Sequence, residues 1–188
     1  MGIALAIAVP LGLWVGHTRR GGGVIVGLAG ALRSLPTLGL LSLFTLLMGL
    51  GLMPPILALV LLAIPPILSG TYSGVAAVSP ALVDAARSMG MTEGQVLTRV
   101  EIPVALPVIL GGIRNAALQV LATVTIVAYI NLGGLGRYLI DGLAVRDYAR
   151  MLASVVLVAV LALAADAVLA LVQRLVTSPG LRLAGDRP

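Results

Sequence analysis

Asp84–Pro103, DAARSMGMTEGQVLTRVEIP, is the one long polar interval of an otherwise oily chain, with membrane-grade sequence on both sides. Ser79-Pro80, just ahead of it, supplies a helix N-cap followed by proline at the first helical position, where a missing N–H costs nothing. Leu82, Ala85, Ala86 and Met89 then recur at helical spacing, as one apolar face of a short helix. Gly90 stands where a left-handed residue would end that helix. Thr92 and Gln95 make a capping box for a second helix, which Pro103 interrupts before the next apolar run. The expected object is a helix–glycine–helix hairpin lying under a membrane. Asp84 and the small Ala85-Ala86 pair would let a partner backbone approach closely. An amphipathic loop that merely covers the bundle fits the same pattern.

The surroundings follow from composition. Of 188 residues, 60% are hydrophobic and 10% charged, with a mean hydropathy of +1.13. Soluble domains are about 45–50% apolar and about 25% charged. The excess cannot be buried in one water-soluble core, so the chain is an integral membrane protein. Without cysteine there is no disulfide, thiolate metal site or cysteine nucleophile. All twelve basic residues are arginine, and a Walker A loop needs a lysine to reach the nucleotide phosphates. Any ATP that drives the protein is therefore used by a partner subunit, and no cofactor is expected on this chain. One histidine, His17, and few membrane carboxylates leave no metal cluster or nucleophile–base pair, so an enzyme is not expected. The net charge of +5 comes from arginines scattered singly between apolar runs, which orient a membrane protein rather than bind nucleic acid.

Five runs are candidate spans: Gly2–Gly16, Val24–Gly51, Pro54–Thr71, Ala105–Ile130 and Met151–Leu175. The first begins at the initiator position and is a turn short, which suggests a truncated or misassigned start, or a thin tilted span. The second is too long for a straight crossing. Its expected crossing part is about Leu35–Gly51, with an interfacial segment before Pro36. Pro65-Pro66 should kink the third. Residues 1–176 then form the transmembrane domain, with a loop over about 72–104, and residues 177–188 form a tail. Arginine counts in the short loops place the N-terminus outside, and the hairpin and tail in the cytoplasm.

Arg114 and Asp166 are charges within spans four and five. Counted from the cytoplasmic ends at 1.5 Å per residue, they lie about 13 and about 12 Å deep. An ion pair between them, or a shared polar network, would hold these helices together; the alternative is an Arg114 that snorkels to the interface.

Asp84-Ala85-Ala86, three residues, Gly90, nine residues, then Val100-Glu101-Ile102-Pro103 resembles the EAA loop of binding-protein-dependent ABC importer permeases: Glu-Ala-Ala, three residues, Gly, nine residues, Ile-x-Leu-Pro. Every spacing matches, and the three replacements are chemically mild. The resemblance implies a MetI-like, all-α integral membrane fold in a bacterial inner membrane. It also implies a coupling helix at Asp84, Ala85, Ala86, Gly90, Val100, Ile102 and Pro103 that docks on ABC ATPase subunits. A second permease subunit and an extracytoplasmic solute-binding protein are the further partners it implies. Leu35–Leu41, Gly112-Ile113-Arg114-Asn115, Gly133-Gly134-Leu135-Gly136 with Ile140–Leu143, and the segment from Ala165-Asp166 to Arg182 resemble osmoprotectant permeases, those for glycine betaine, carnitine and choline. Methionine importer permeases share the loop and the Gly-Gly-Leu-Gly element, which is also readable as a simple tight turn. The substrate-binding residues are not readable. A quaternary ammonium calls for an aromatic cage, and only Phe44 and Tyr129 lie well within the later spans. Selectivity is therefore expected in the separate receptor, with this chain forming a permissive passage.

Overall fold

The computed structural model describes residues 1–130 and 133–177. The expected tail from 178 onward lies outside the described residues. Among the described residues, nine α-helices follow in order: α1 Gly2–Thr18, α2 Gly22–Ser34, α3 Thr37–Met48, α4 Met53–Ala76, α5 Pro80–Ser88, α6 Glu93–Val96, α7 Ile102–Val124, α8 Leu135–Val145 and α9 Tyr148–Val176. A π-helical turn, Leu97–Glu101, joins α6 to α7, and a 3-10 turn, Thr125–Ile130, follows α7.

Among the described residues, three helical rods are long and apolar enough to cross a membrane: α4, the continuous rod Glu93–Val124 and α9. The α2–α3 pair makes a fourth if it counts as one span, although it bends by 80° at its break. The crossing expected over Leu35–Gly51 is thus shorter than its composition suggested. Pro36 cannot continue a helix begun at α2, and Gly49, at φ 82°, ends the twelve residues of α3. Twelve residues rise only about 18 Å against a hydrocarbon core of about 30 Å. α1 is apolar, with 17 residues.

The bundle is organised by close backbone approach. In a membrane, helices associate through packing of small residues rather than through a hydrophobic drive. Ala4, Ala8, Gly12 and Gly16 recur every four residues of α1, and all are buried. A Cβ added at Gly12 or at Gly16 would stand 2.7 Å from the Cβ of Thr71 or of Val75 on α4. On another face of α4, a Cβ at Gly70 would lie 2.8 Å from the Cα of Gly112 on α7. α4 is therefore the central helix, held on two faces by glycine contacts. It runs through Pro65-Pro66 as one helix, with both rings buried. α9 packs mainly along α7 and α8, and its most apolar stretch has no buried residue within the chain.

Candidate functional site

The polar hairpin is braced by local hydrogen bonds. Ser79 occupies the N-cap position of α5 through its backbone, with no hydrogen bond from its side chain. At the other end Gly90 takes φ +84°, Gly90 N–H donates to the Arg87 carbonyl, and Met91 N–H donates to the Ala86 carbonyl. These are the two bonds of a Schellman motif, which needs a left-handed residue at that position and so favours glycine. Thr92 and Gln95 form the reciprocal capping box that starts α6. Across the turn the Arg87 guanidinium grips both oxygens of Glu93, at 2.9 and 3.0 Å. That bond holds the Glu93 carboxyl below the usual carboxylate range, with Coulombic attraction to Arg87 and contact with His17 acting in the same direction.

The face that α5 turns inward differs from the sequence expectation. Val83 and Ala86 are buried, packed with Val75, Val78, Val96 and Ala105 at the ends of α4 and α7. Leu82, Ala85 and Met89 point outward, with Leu82 44% and Met89 73% exposed. The apolar residues outnumber what one buried face can take, and the helix gives its narrow Val83/Ala86 edge to the bundle. Ala86 is small for the bundle's sake, while Ala85 leaves room outside. Asp84 is exposed beside Arg87, at 3.5 Å.

The second arm also departs from expectation. Pro103 does not break it: α6, the π-helical turn and α7 form one continuous rod, with Pro103 in the first turn of α7. A proline ring clashes with the carbonyl four residues back. Here that residue is Arg99, inside the widened turn, where Ile102 N–H reaches Leu97 O instead. Val100 is half-buried against the hairpin core, Ile102 is half-buried, and Pro103 is exposed.

Sequence reasoning passed over a second set of residues at this site. Glu101 is 2% exposed, and His17 Nδ1 donates to its Oε2 at 2.5 Å. The other ring nitrogen, Nε2, lies 3.2 Å from Glu93 Oε2. Arg19 donates to the Val78 carbonyl at 2.9 Å. These contacts put the loop after α1 and the hairpin at one end of the bundle. The available signals were a lone histidine at the end of an apolar run and a glutamate within an apolar helix start.

Farther along α7, Arg114 Nε and Nη2 donate to the two oxygens of Asp166 on α9, each at 2.6 Å. Gln173 Nε2 donates to the Pro107 carbonyl at 2.9 Å, a tie absent from the sequence reading. At the opposite end of the bundle, a cavity of about 410 Å³ lies among α4, α7, α9 and the loop before α8. Leu59, Leu121, Val158 and Gly133–Gly136 are in its wall. Gly133 and Gly134 have φ of 78° and 83°, and a Cβ at Gly136 would run into the Thr125 carbonyl, so this segment is at least a glycine-dependent turn.

The chain is thus a multi-pass helical bundle with a braced hairpin beyond its spans, on which Leu82, Ala85 and Met89 face outward. The chain belongs to the family of binding-protein-dependent transport system inner membrane components, which it matches over residues 8–178. It is similar to the glycine betaine/carnitine/choline transport system permease protein OpuCB of Bacillus subtilis (strain 168), with 35% identity over 180 residues, 96% of this chain and 83% of that one. The carnitine transport permease protein OpuCD of Listeria monocytogenes serotype 1/2a (strain 10403S) is 38% identical over 172 residues, covering 91% of this chain and 77% of its own. The osmoprotectant import permease protein OsmW of Salmonella typhimurium is 35% identical, with 97% of this chain and 87% of that one aligned. Among solved structures, the inward-facing MetNI methionine ABC transporter superposes with a TM-score of 0.78 at 22% identity, over 93% of this chain and 88% of that one. The fold is thus that of MetI-like ABC permeases, in an inner membrane. Membership implies an ATPase and a substrate-binding protein as partners.

Proposed function

We propose that this chain is the permease subunit of an ABC importer for quaternary-ammonium osmoprotectants of the glycine betaine, carnitine and choline type. The observation that carries the coupling role is the outward face of α5. Leu82, Ala85 and Met89 are unpacked, while Val83 and Ala86 hold the helix from behind. An apolar face on a braced helix outside the spans is suited to a groove on an ATPase subunit. Ala85 permits close approach, Asp84 offers a carboxylate at the rim, and Gly90 turns the chain back. Val100, Ile102 and Pro103 set the second arm. The working assembly pairs this chain with a second permease subunit, identical or homologous, two ATPases and an external solute receptor. ATP stays on the ATPases, since no lysine is present here for a Walker A loop, and the chain carries no catalytic or cofactor site of its own. Nucleotide-driven closure would move the hairpin as a rigid body and switch the helices between inward-open and outward-open arrangements.

The solute class is supported by the names of the relatives at 34–38% identity over most of the chain. A quaternary ammonium offers no hydrogen-bond donor, and the apolar cavity at the outer end asks for none. Proteoliposomes holding the chain with a cognate ATPase and receptor should take up labelled glycine betaine, carnitine or choline only with ATP inside. Met89→Glu should abolish both this uptake and co-purification of the ATPase. Uptake of methionine in place of these solutes would overturn the substrate assignment, and ATP-independent flux would overturn the importer itself.

A further inference from the structure

A hairpin that transmits force must keep its two arms from sliding past one another. The first arm, α5, continues from α4, and the second, α6 with its π-helical turn, continues into α7. Near the tip, Arg87 on the first arm holds Glu93 on the second. At the base the tie comes from α1. His17 sits between two carboxylates of the second arm, with Nδ1 on buried Glu101 and Nε2 facing Glu93. α1 is itself seated on α4, the helix that feeds the first arm, through the backbone contacts at Gly12 and Gly16. A small polar cavity of about 260 Å³ adjoins this tie, bordered by His17, Arg19, Asp84, Arg87 and Glu101.

We infer that His17 is a positioning residue for energy coupling, which locks the α1–α4 body to the α6–α7 arm so that the hairpin moves as one piece. The chemistry favours the Glu101 side as the stronger contact. That carboxylate is buried and would lose the hydrogen bond from His17, keeping Arg87 only as a charge without a direct bond. Glu93, by contrast, is exposed and keeps its bidentate bond from Arg87. Loss of the lock leaves the outward face of α5 intact, so the ATPase still docks. What is lost is the transfer of its movement to the spans.

The inference rests on the importer reading, and the experiment separates the two. In the reconstituted assembly, ATP hydrolysis and solute uptake are measured on the same vesicles. Absence of ATP-dependent uptake by the unaltered assembly would sink the importer reading. With uptake present, His17→Ala should keep the co-purifying ATPase and lower uptake per ATP hydrolysed at least fivefold. His17→Asn places an amide nitrogen where Nδ1 stood, keeps a donor for Glu101, and should return coupling to within twofold. His17→Gln places its nitrogen toward Glu93 and should stay uncoupled. Equal losses in the Asn and Ala variants, or an unchanged ratio in His17→Ala, would overturn the lock. Should the Ala chain not accumulate, Glu101→Asp draws the carboxylate one methylene away from Nδ1 and should uncouple in the same way; full coupling in that variant overturns the inference equally. Hydrogen exchange on the purified chain gives a transport-free reading: His17→Ala should raise exchange over residues 93–101 and leave α9 unchanged, and unaltered exchange there counts against the lock.

Discussion

The pair between Arg114 and Asp166 can be tested by a double-mutant cycle on stability in bicelles. Asp166→Ala leaves a guanidinium within α7 facing an apolar helix. On insertion scales an unpaired charge near the centre of a span costs about 2.5–3.5 kcal/mol. Both side chains are about a third exposed in the isolated chain, 34% and 29%, so part of that cost is relieved by reaching toward the interface. Two charge-assisted bonds at 2.6 Å replace the single neutral bond typical of membrane double-mutant cycles, which average about 0.6 kcal/mol. A coupling energy of about 1.5 kcal/mol or more is expected, roughly tenfold in the folding equilibrium. Each single reversal, Arg114→Asp or Asp166→Arg, puts like charges together and should lower stability by more than the Ala variants do. The double reversal should recover at least half of that loss. Additive variants, with coupling below about 0.5 kcal/mol, would show that the two charges do not depend on one another.

Three further outcomes follow from the geometry. Gly90→Ala forces a Cβ into φ +84°, costing about 1–2 kcal/mol, and should show as faster hydrogen exchange at the end of α5. Gly70→Val drives a side chain into the Gly112 backbone, 2.8 Å from where its Cβ would stand, and should lower thermal stability by about 3 kcal/mol or prevent assembly. The Glu93 carboxyl is depressed by Arg87, so its contribution is present above the unfolded-state value and is lost as pH falls through the folded one. The Glu93 contribution to hairpin protection should therefore decline below about pH 4, and that decline should be reduced in Glu93→Gln.

Much of this architecture could be read from residues whose roles are local. Gly90, Thr92 and Gln95 act within one turn of chain, and spacing alone indicates a cap, a left-handed turn and a second helix start. The ion pair of Arg114 and Asp166 was readable because two charges in oil at matched depth have few other options. What spacing could not give was direction. Leu82, Ala85, Ala86 and Met89 have helical periodicity, yet whether such a face turns to the bundle or away depends on what α4 and α7 present beneath it. The same holds for Pro103, whose ring was accommodated by widening one turn rather than by ending the helix. His17 lies 84 residues from Glu101, and nothing local to either residue announces the other. The second helical run shows the reverse failure, since composition measured its apolar length but not the 80° bend that divides it.

The polar ties along α7 and α9 have a spacing that bears on how the hairpin's movement would spread. Pro107 and Arg114 are seven residues apart on α7, and Asp166 and Gln173 are seven apart on α9, paired in antiparallel order. Seven residues is about two helical turns, so both ties fall on one face of each helix. α9 is thereby pinned to α7 over the half nearest the hairpin, where sliding would break a hydrogen bond and an ion pair together. Seven residues farther on stands Leu121, without a polar tie, and there the large apolar cavity lies between α7 and α9. Apolar contacts there can exchange neighbours at little cost, because no directional bond must be remade. On the importer reading, a push received at α5 would carry the inner halves of α4, α7 and α9 as one body, and the change in shape would be concentrated at the outer end. On that reading, the stretch that transmits the push and the stretch that yields to it lie along the same two helices.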